Sequence, residues 1–190
     1  MARAAAVSPA TECAPFQTPP VFSGRVQTPA AVLGFALGSR EVSTDEANTY
    51  LDALDASSPR VVTGVAASSV QGRVLKYAIV GREDKVSPAG LDRLRRAARQ
   101  LMDPNTSSAT AAALAASTPA ILWVAGNVHG NEESGADAAL RVLYELADRD
   151  DCAAARILDN SVVVVLPIQN PDGREADTRK KDDGININHV

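Results

Sequence analysis

Val162 to Leu166 is an unbroken run of four valines and a leucine. β-Branched side chains resist helix and suit a pleated strand. A run without polar alternation belongs to a strand covered on both faces. Ile121-Leu122-Trp123-Val124-Ala125, bounded by Pro119 and Gly126, reads the same way and is also expected to be buried on both faces. Between the two runs, Ala136, Leu140, Leu143 and Ala147 recur at helical spacing and predict a helix from about Glu133 to Arg149. Strand, helix, strand with apolar strands indicates an α/β sheet covered by helices.

The upstream chain supplies more of the same layers. Ser43-Thr44-Asp45-Glu46 has the form of a capping box, and Ala47, Tyr50, Leu51 and Leu54 carry the helix it opens to about Ala56. Arg60 to Ala67 and Arg73 to Val80 predict two strands that pair across a turn at Gln71-Gly72. Ser87-Pro88 opens a helix with Leu91, Leu94, Ala98 and Leu101 on its apolar face, closed by Pro104. The alanine-rich stretch from 108 to 116 predicts a short helix. Residues 1–30 hold five prolines, at positions 9, 15, 19, 20 and 29. Proline removes backbone donors and restricts the residue before it. That segment is therefore expected to be an extended or disordered arm, with the domain running over 31–190 and order beginning near Ala31. Four strands make a thin sheet, and a buried-type strand needs neighbours on both edges. The domain is expected to be incomplete.

Composition narrows the function classes. The chain has 190 residues, 45% hydrophobic and 22% charged, with a net charge of -4. That suits one globular domain rather than a disordered chain. No apolar run reaches the ~20 residues of a membrane span, so no membrane partner is expected. No block of basic residues appears, so no nucleic-acid partner is expected either. The two cysteines, Cys13 and Cys152, lack metal-ligand spacing; they are two free thiols, or one disulfide in an exported chain. A start assigned too late would leave Ala2 to Ala6 as the remnant of an export signal, making the protein secreted. The compartment stays open. Asn105-Thr106-Ser107 is a glycosylation sequon that chance alone supplies often.

Chemistry concentrates after the apolar runs. His129-Gly130-Asn131-Glu132 falls at a strand-to-helix turn, at the carboxyl end of a strand, where α/β sheets form ligand crevices. A histidine and a glutamate three apart can face one point. Catalytic zinc often takes two histidines and one carboxylate and keeps a position for water. The bland alternative is that Glu132 and Glu133 merely favour a helix N-terminus. After the second run comes Asn170-Pro171-Asp172-Gly173, then Arg179 and Gly184-Ile185-Asn186-Ile187-Asn188. Taken singly, these are turn signals.

Together, the segment Trp123 to Glu132 and the segment Leu166 to Gly173 resemble the zinc carboxypeptidase (metallocarboxypeptidase) family. The resemblance runs from about residue 30 to the last residue and is strongest over 120–188. It implies a mixed α/β sheet with helices on both faces, one zinc ion as cofactor, and hydrolysis of C-terminal peptide bonds in a peptide or protein substrate. By the same resemblance His129 and Glu132 are the first two zinc ligands. Arg179 is the catalytic arginine that polarises the scissile carbonyl and stabilises the oxyanion, a role suited to a permanently charged, fork-shaped donor. Asn188 is the substrate-binding residue that helps hold the terminal carboxylate. Zinc would lower the pKa of a bound water towards ~7.

The departures carry weight too. The family reads Asp-Xaa-Asn-Arg where this chain has Asn186-Ile187-Asn188-His189, and Lys181 replaces an asparagine. The family's third zinc ligand and general-base glutamate belong to a part of the domain absent from these 190 residues. His189 stands where the family has a substrate-binding arginine, so it is not read as the third ligand. The chain is accordingly expected to represent the N-terminal part of such a catalytic domain, inactive as it stands. The alternative is a catalytically dead fragment or degenerate relative that at most binds metal or peptide.

Overall fold

The computed structural model describes residues 19–180. In chain order its elements are α1 (Pro29–Leu33), α2 (Thr44–Ser57), β1 (Val61–Ser68), β2 (Val74–Val80), α3 (Glu83–Val86), α4 (Pro88–Met102), α5 (Ser108–Ser117), β3 (Ala120–Ala125), α6 (Ser134–Asp148), α7 (Cys152–Asn160), β4 (Ser161–Leu166) and α8 (Pro171–Glu175). The strands form one sheet in the order β1-β2-β4-β3. β2 runs antiparallel to both β1 and β4, while β3 and β4 are parallel. This is the expected mixed α/β sheet. Among the described residues no helix is long and apolar enough to cross a membrane.

One face of the sheet carries the main core. Strand alternation puts Val61, Ala78, Val80, Val163 and Val165 on the same side, where they join one buried cluster with Tyr50, Leu51 and Leu54 of α2 and Leu140 and Leu143 of α6. Each large apolar side chain fully buried there contributes roughly 1.5–3 kcal/mol. Helix α2 starts as its sequence dictates: Ser43 Oγ accepts from the Glu46 amide at 3.2 Å, and the Ser43 amide donates to Glu46 Oε2 at 2.9 Å. On the opposite face, Val86 of α3 and Val162 close over Gly81, so helices cover both sides there.

β4 is buried along its length, as expected, but β3 is not. Ile121, Leu122 and Trp123 are 40%, 48% and 69% exposed. The reason is position. β4 lies between β2 and β3, whereas β3 pairs with β4 alone among the described residues. An apolar run specifies a strand that suits burial; its neighbours decide whether burial happens. Helix α4 departs similarly. Leu91 is buried, yet Leu101 is 41% exposed, because α4 packs on α3 and α5 rather than on the sheet.

Ordered contacts begin ahead of Ala31, the expected start. Phe22 stacks on Tyr144 with ring centroids 5.1 Å apart and forms a β-bridge with Arg149. Buried Asp148, at the end of α6, accepts from Ser23 Oγ and from the amides of Gly24, Arg25 and Val26. Residues 19–28 are thus irregular but tied down. The rest of the proline-rich segment, residues 1–18, lies outside the described residues. Cys152 is disulfide-bonded, which excludes the free-thiol alternative.

Candidate functional site

The parallel pairing of β3 with β4 continues beyond both strands. The Gly126 amide donates to Leu166 O at 2.9 Å, Gln169 to Gly126 O at 3.2 Å, and Asn170 to Asn127 O at 3.2 Å. Residues 126–132 and 167–173 are thereby laid side by side at the carboxyl ends of the strands, where an α/β crevice belongs. Their contact is intimate. A Cβ on Gly130 would collide with the backbone carbonyl of Gly173 and with Thr178 O, and one on Gly173 would collide with Asn170 Nδ2.

The second loop is built by its own residues. Asn170 Oδ1 accepts from the Gly173 amide at 3.1 Å and caps α8, with Pro171 in the first helical turn where its missing N–H costs nothing. Asp172 reaches the turn between β1 and β2, accepting from Ser69 Oγ at 2.7 Å, the Gln71 amide at 3.2 Å and Arg73 Nη1 at 2.8 Å. Burial alone would raise the Asp172 carboxyl; those donors outweigh it and hold it below the usual carboxylate range.

These loops bring three of the sequence-derived residues together. His129 Nδ1 and Glu132 Oε1 are 2.9 Å apart, and with Glu132 ionised the imidazole N–H is the donor. Arg179 Nη1 donates to the same oxygen at 3.0 Å. His129 is buried while Glu132 and Arg179 are each about half exposed, so the group opens to solvent. The hydrogen bond from His129, helped by Arg179, lowers the pKa of Glu132. Asn188, His189 and Lys181 lie outside the described residues.

The imidazole nitrogen and the carboxylate oxygen share one point, and both are donors zinc accepts. They fit as two members of a zinc set. Among the described residues, the one cluster of three metal-capable side chains is a different one, the exposed Glu41, Glu133 and Asp177. Glu133 belongs to that second cluster, where the neighbouring Glu41 carboxylate raises its pKa. Sequence reasoning missed Asn127, whose amide nitrogen donates to three backbone carbonyls of the first loop. The available signal was an asparagine directly after a strand and a glycine, in a position suited to left-handed backbone. The steric match of Gly130 to Gly173 has no comparable local signal.

Known proteins resemble this chain in sequence or in fold. Carboxypeptidase 2 of Trichophyton tonsurans is 42% identical over 52 residues, 27% of this chain and 10% of that protein. The Trichophyton rubrum carboxypeptidase 2 matches to the same extent. Among solved structures, the carboxypeptidase A from Helicoverpa armigera aligns with a TM-score of 0.53 at 17% identity, covering 80% of this chain and 34% of that one. A metallo-carboxypeptidase from Burkholderia cenocepacia aligns with a TM-score of 0.53 at 18% identity, covering 78% and 32%. At such identities the likeness is one of fold. The chain therefore spans about a third of these structures, and its match spans a tenth of the curated relatives. The zinc carboxypeptidase family model matches residues 47–189, three quarters of the sequence and both loops, and on that match the chain belongs to the zinc carboxypeptidase family.

Proposed function

We propose that this chain carries part of the site of a zinc-dependent carboxypeptidase acting on the C-terminal peptide bonds of peptides or proteins. His129 and Glu132 serve as two metal ligands, Arg179 as the catalytic arginine, and Asn188 as a contact for the substrate's terminal carboxylate. The observation that carries this reading is the convergence of His129 Nδ1 and Arg179 Nη1 on one oxygen of Glu132, at 2.9 and 3.0 Å.

Zinc, when bound, supplies Lewis acidity and a lowered pKa for water. The chain's own residues do the rest. His129 offers a nitrogen from a buried ring, so little side-chain entropy remains to be lost on binding. Glu132 holds Arg179 beside it, and the half-exposed guanidinium keeps its fork open to a carbonyl oxygen. Such a preoriented cation stabilises developing negative charge.

A second reading, a chain that binds metal or peptide without hydrolysis, is favoured by the donor count among the described residues. Two ligands grip zinc less firmly than three, and no glutamate other than Glu132 faces His129 among the described residues. Zinc titration of the 190-residue chain, alongside His129→Ala and Glu132→Gln, tests the metal assignment. Weak binding lost in both variants is expected, with no release of C-terminal amino acids from peptides. Binding indifferent to both substitutions would overturn the assignment. Hydrolysis by this chain would overturn the second reading.

A further inference from the structure

We propose that Asn127 is a positioning residue for the metal pair, holding His129 and Glu132 at one point by clamping the backbone between them. The proposal rests on the zinc reading above. Asn127 is 4% exposed and stands at the last step of the β3–β4 pairing, its carbonyl accepting from the Asn170 amide. Its Nδ2 lies 3.1 Å from each of His129 O, Gly130 O and Glu132 O. Two N–H bonds are thus shared among three carbonyls, all in the turn that carries the ligands. A turn of four residues with both ends fixed to one amide group has little freedom to spread. The distance from His129 Nδ1 to Glu132 Oε1 is set accordingly.

The backbone cost supports a role for the side chain itself. Asn127 has a φ of 48°, a left-handed conformation that glycine adopts more readily. Its Oδ1 is buried without a hydrogen-bond partner, a state that ordinarily costs about 1–3 kcal/mol. Glycine would avoid both costs. What glycine lacks is the amide donor, and that donor reaches the two ligand-bearing residues and the glycine next to His129.

The test separates backbone conformation from clamping. Asn127→Gly keeps the left-handed φ and removes the amide; Asn127→Asp keeps the shape and removes the donor. Zinc affinity is measured on the 190-residue chain by competition with a chromophoric chelator. The visible spectrum of the Co(II)-loaded chain reports ligand geometry, and a thermal melt reports folding. Partners behind metal ligands commonly set affinity by about 10–100-fold. Both variants should therefore bind zinc at least ~10-fold more weakly and shift the Co(II) bands, while still melting cooperatively. Wild-type affinity and spectrum in Asn127→Gly would overturn the proposal, leaving Asn127 a backbone requirement only. Failure of both variants to fold would overturn it as well, making Asn127 a stability residue. Zinc binding by the unsubstituted chain that His129→Ala does not weaken would instead defeat the underlying metal assignment.

Discussion

Gly130 lies so close to Gly173 that Gly130 cannot carry a side chain, while Gly173 is closed off by Asn170 and the Lys180 carbonyl. The backbone carbonyl of Gly173 occupies the space a Cβ on Gly130 would need. Two turns from different strands therefore meet backbone to backbone, and the alignment of His129 and Glu132 with Arg179 follows from that contact.

Gly130→Ala should force the turns apart. Overpacking of a close contact typically costs about 1–3 kcal/mol, and here the clash is with backbone rather than with a side chain that can rotate away. Denaturant unfolding should show that loss, and zinc affinity should fall with it. An alanine variant of wild-type stability and affinity would mean the turns are not in contact in solution.

On the proposed metal assignment Arg179 and zinc would compete for Glu132, since the guanidinium already donates to Oε1. Arg179→Met should therefore raise zinc affinity, whereas Glu132→Gln should lower it. A competition titration with a colorimetric chelator distinguishes the two signs. Equal losses in both variants would show that Arg179 helps hold the ligand in place rather than competing for it.

Acid should release the N-terminal segment before it melts the sheet. Burial alone would raise the Asp148 carboxyl, but hydrogen bonds from Ser23, Gly24, Val26 and Arg25 lower it overall. Asp151, bonded to Arg149 and to the Val21 amide, is lowered to about 2. Both pKa values are depressed on folding. Their stabilisation is present above the unfolded value of about 3.9 and disappears as pH falls through the folded values. Amide exchange at residues 21–26 should accelerate between pH about 4 and about 2, ahead of β4. Simultaneous loss of both regions would contradict this.

Among the described residues β3 has a strand partner on one side alone, and its other side should make the isolated chain associate. Ile121, Leu122 and Trp123 are exposed next to one another on an edge without a charge or a proline, the pattern that promotes strand addition. Sedimentation should show concentration-dependent oligomers, and Leu122→Lys should reduce them. A monomer at high concentration with a sharp cooperative melt would refute this expectation.

Much of the fold could be read from the sequence because it rests on local signals. The Ser43 to Glu46 capping box, the 136-140-143-147 stripe and the valine run of β4 each state a preference that the tertiary structure respects. The exposure of β3 could not be read, since a strand's composition does not say who stands beside it. The helices α7 and α8 were missed because their nine and five residues give too few turns for a periodic signal to develop. At the site, the spacing and position of His129 and Glu132 marked that pair, the resemblance supplied Arg179, and the convergence of His129 and Arg179 on one Glu132 oxygen had no signal in the sequence. Gly130 and Gly173 meet across 43 residues of sequence and the Asn127 side chain binds carbonyls within one turn, and hydrophobic periodicity does not register such contacts.

Asp172 ties the loop after β4 to the tip of the β1–β2 hairpin through Ser69, Gln71 and Arg73. A surface turn that touches no ligand thus acts as an outrigger for the loop leading to Arg179. Lengthening or trimming that turn should loosen Arg179 at a distance, so hairpin length and loop sequence are free to change only as a pair.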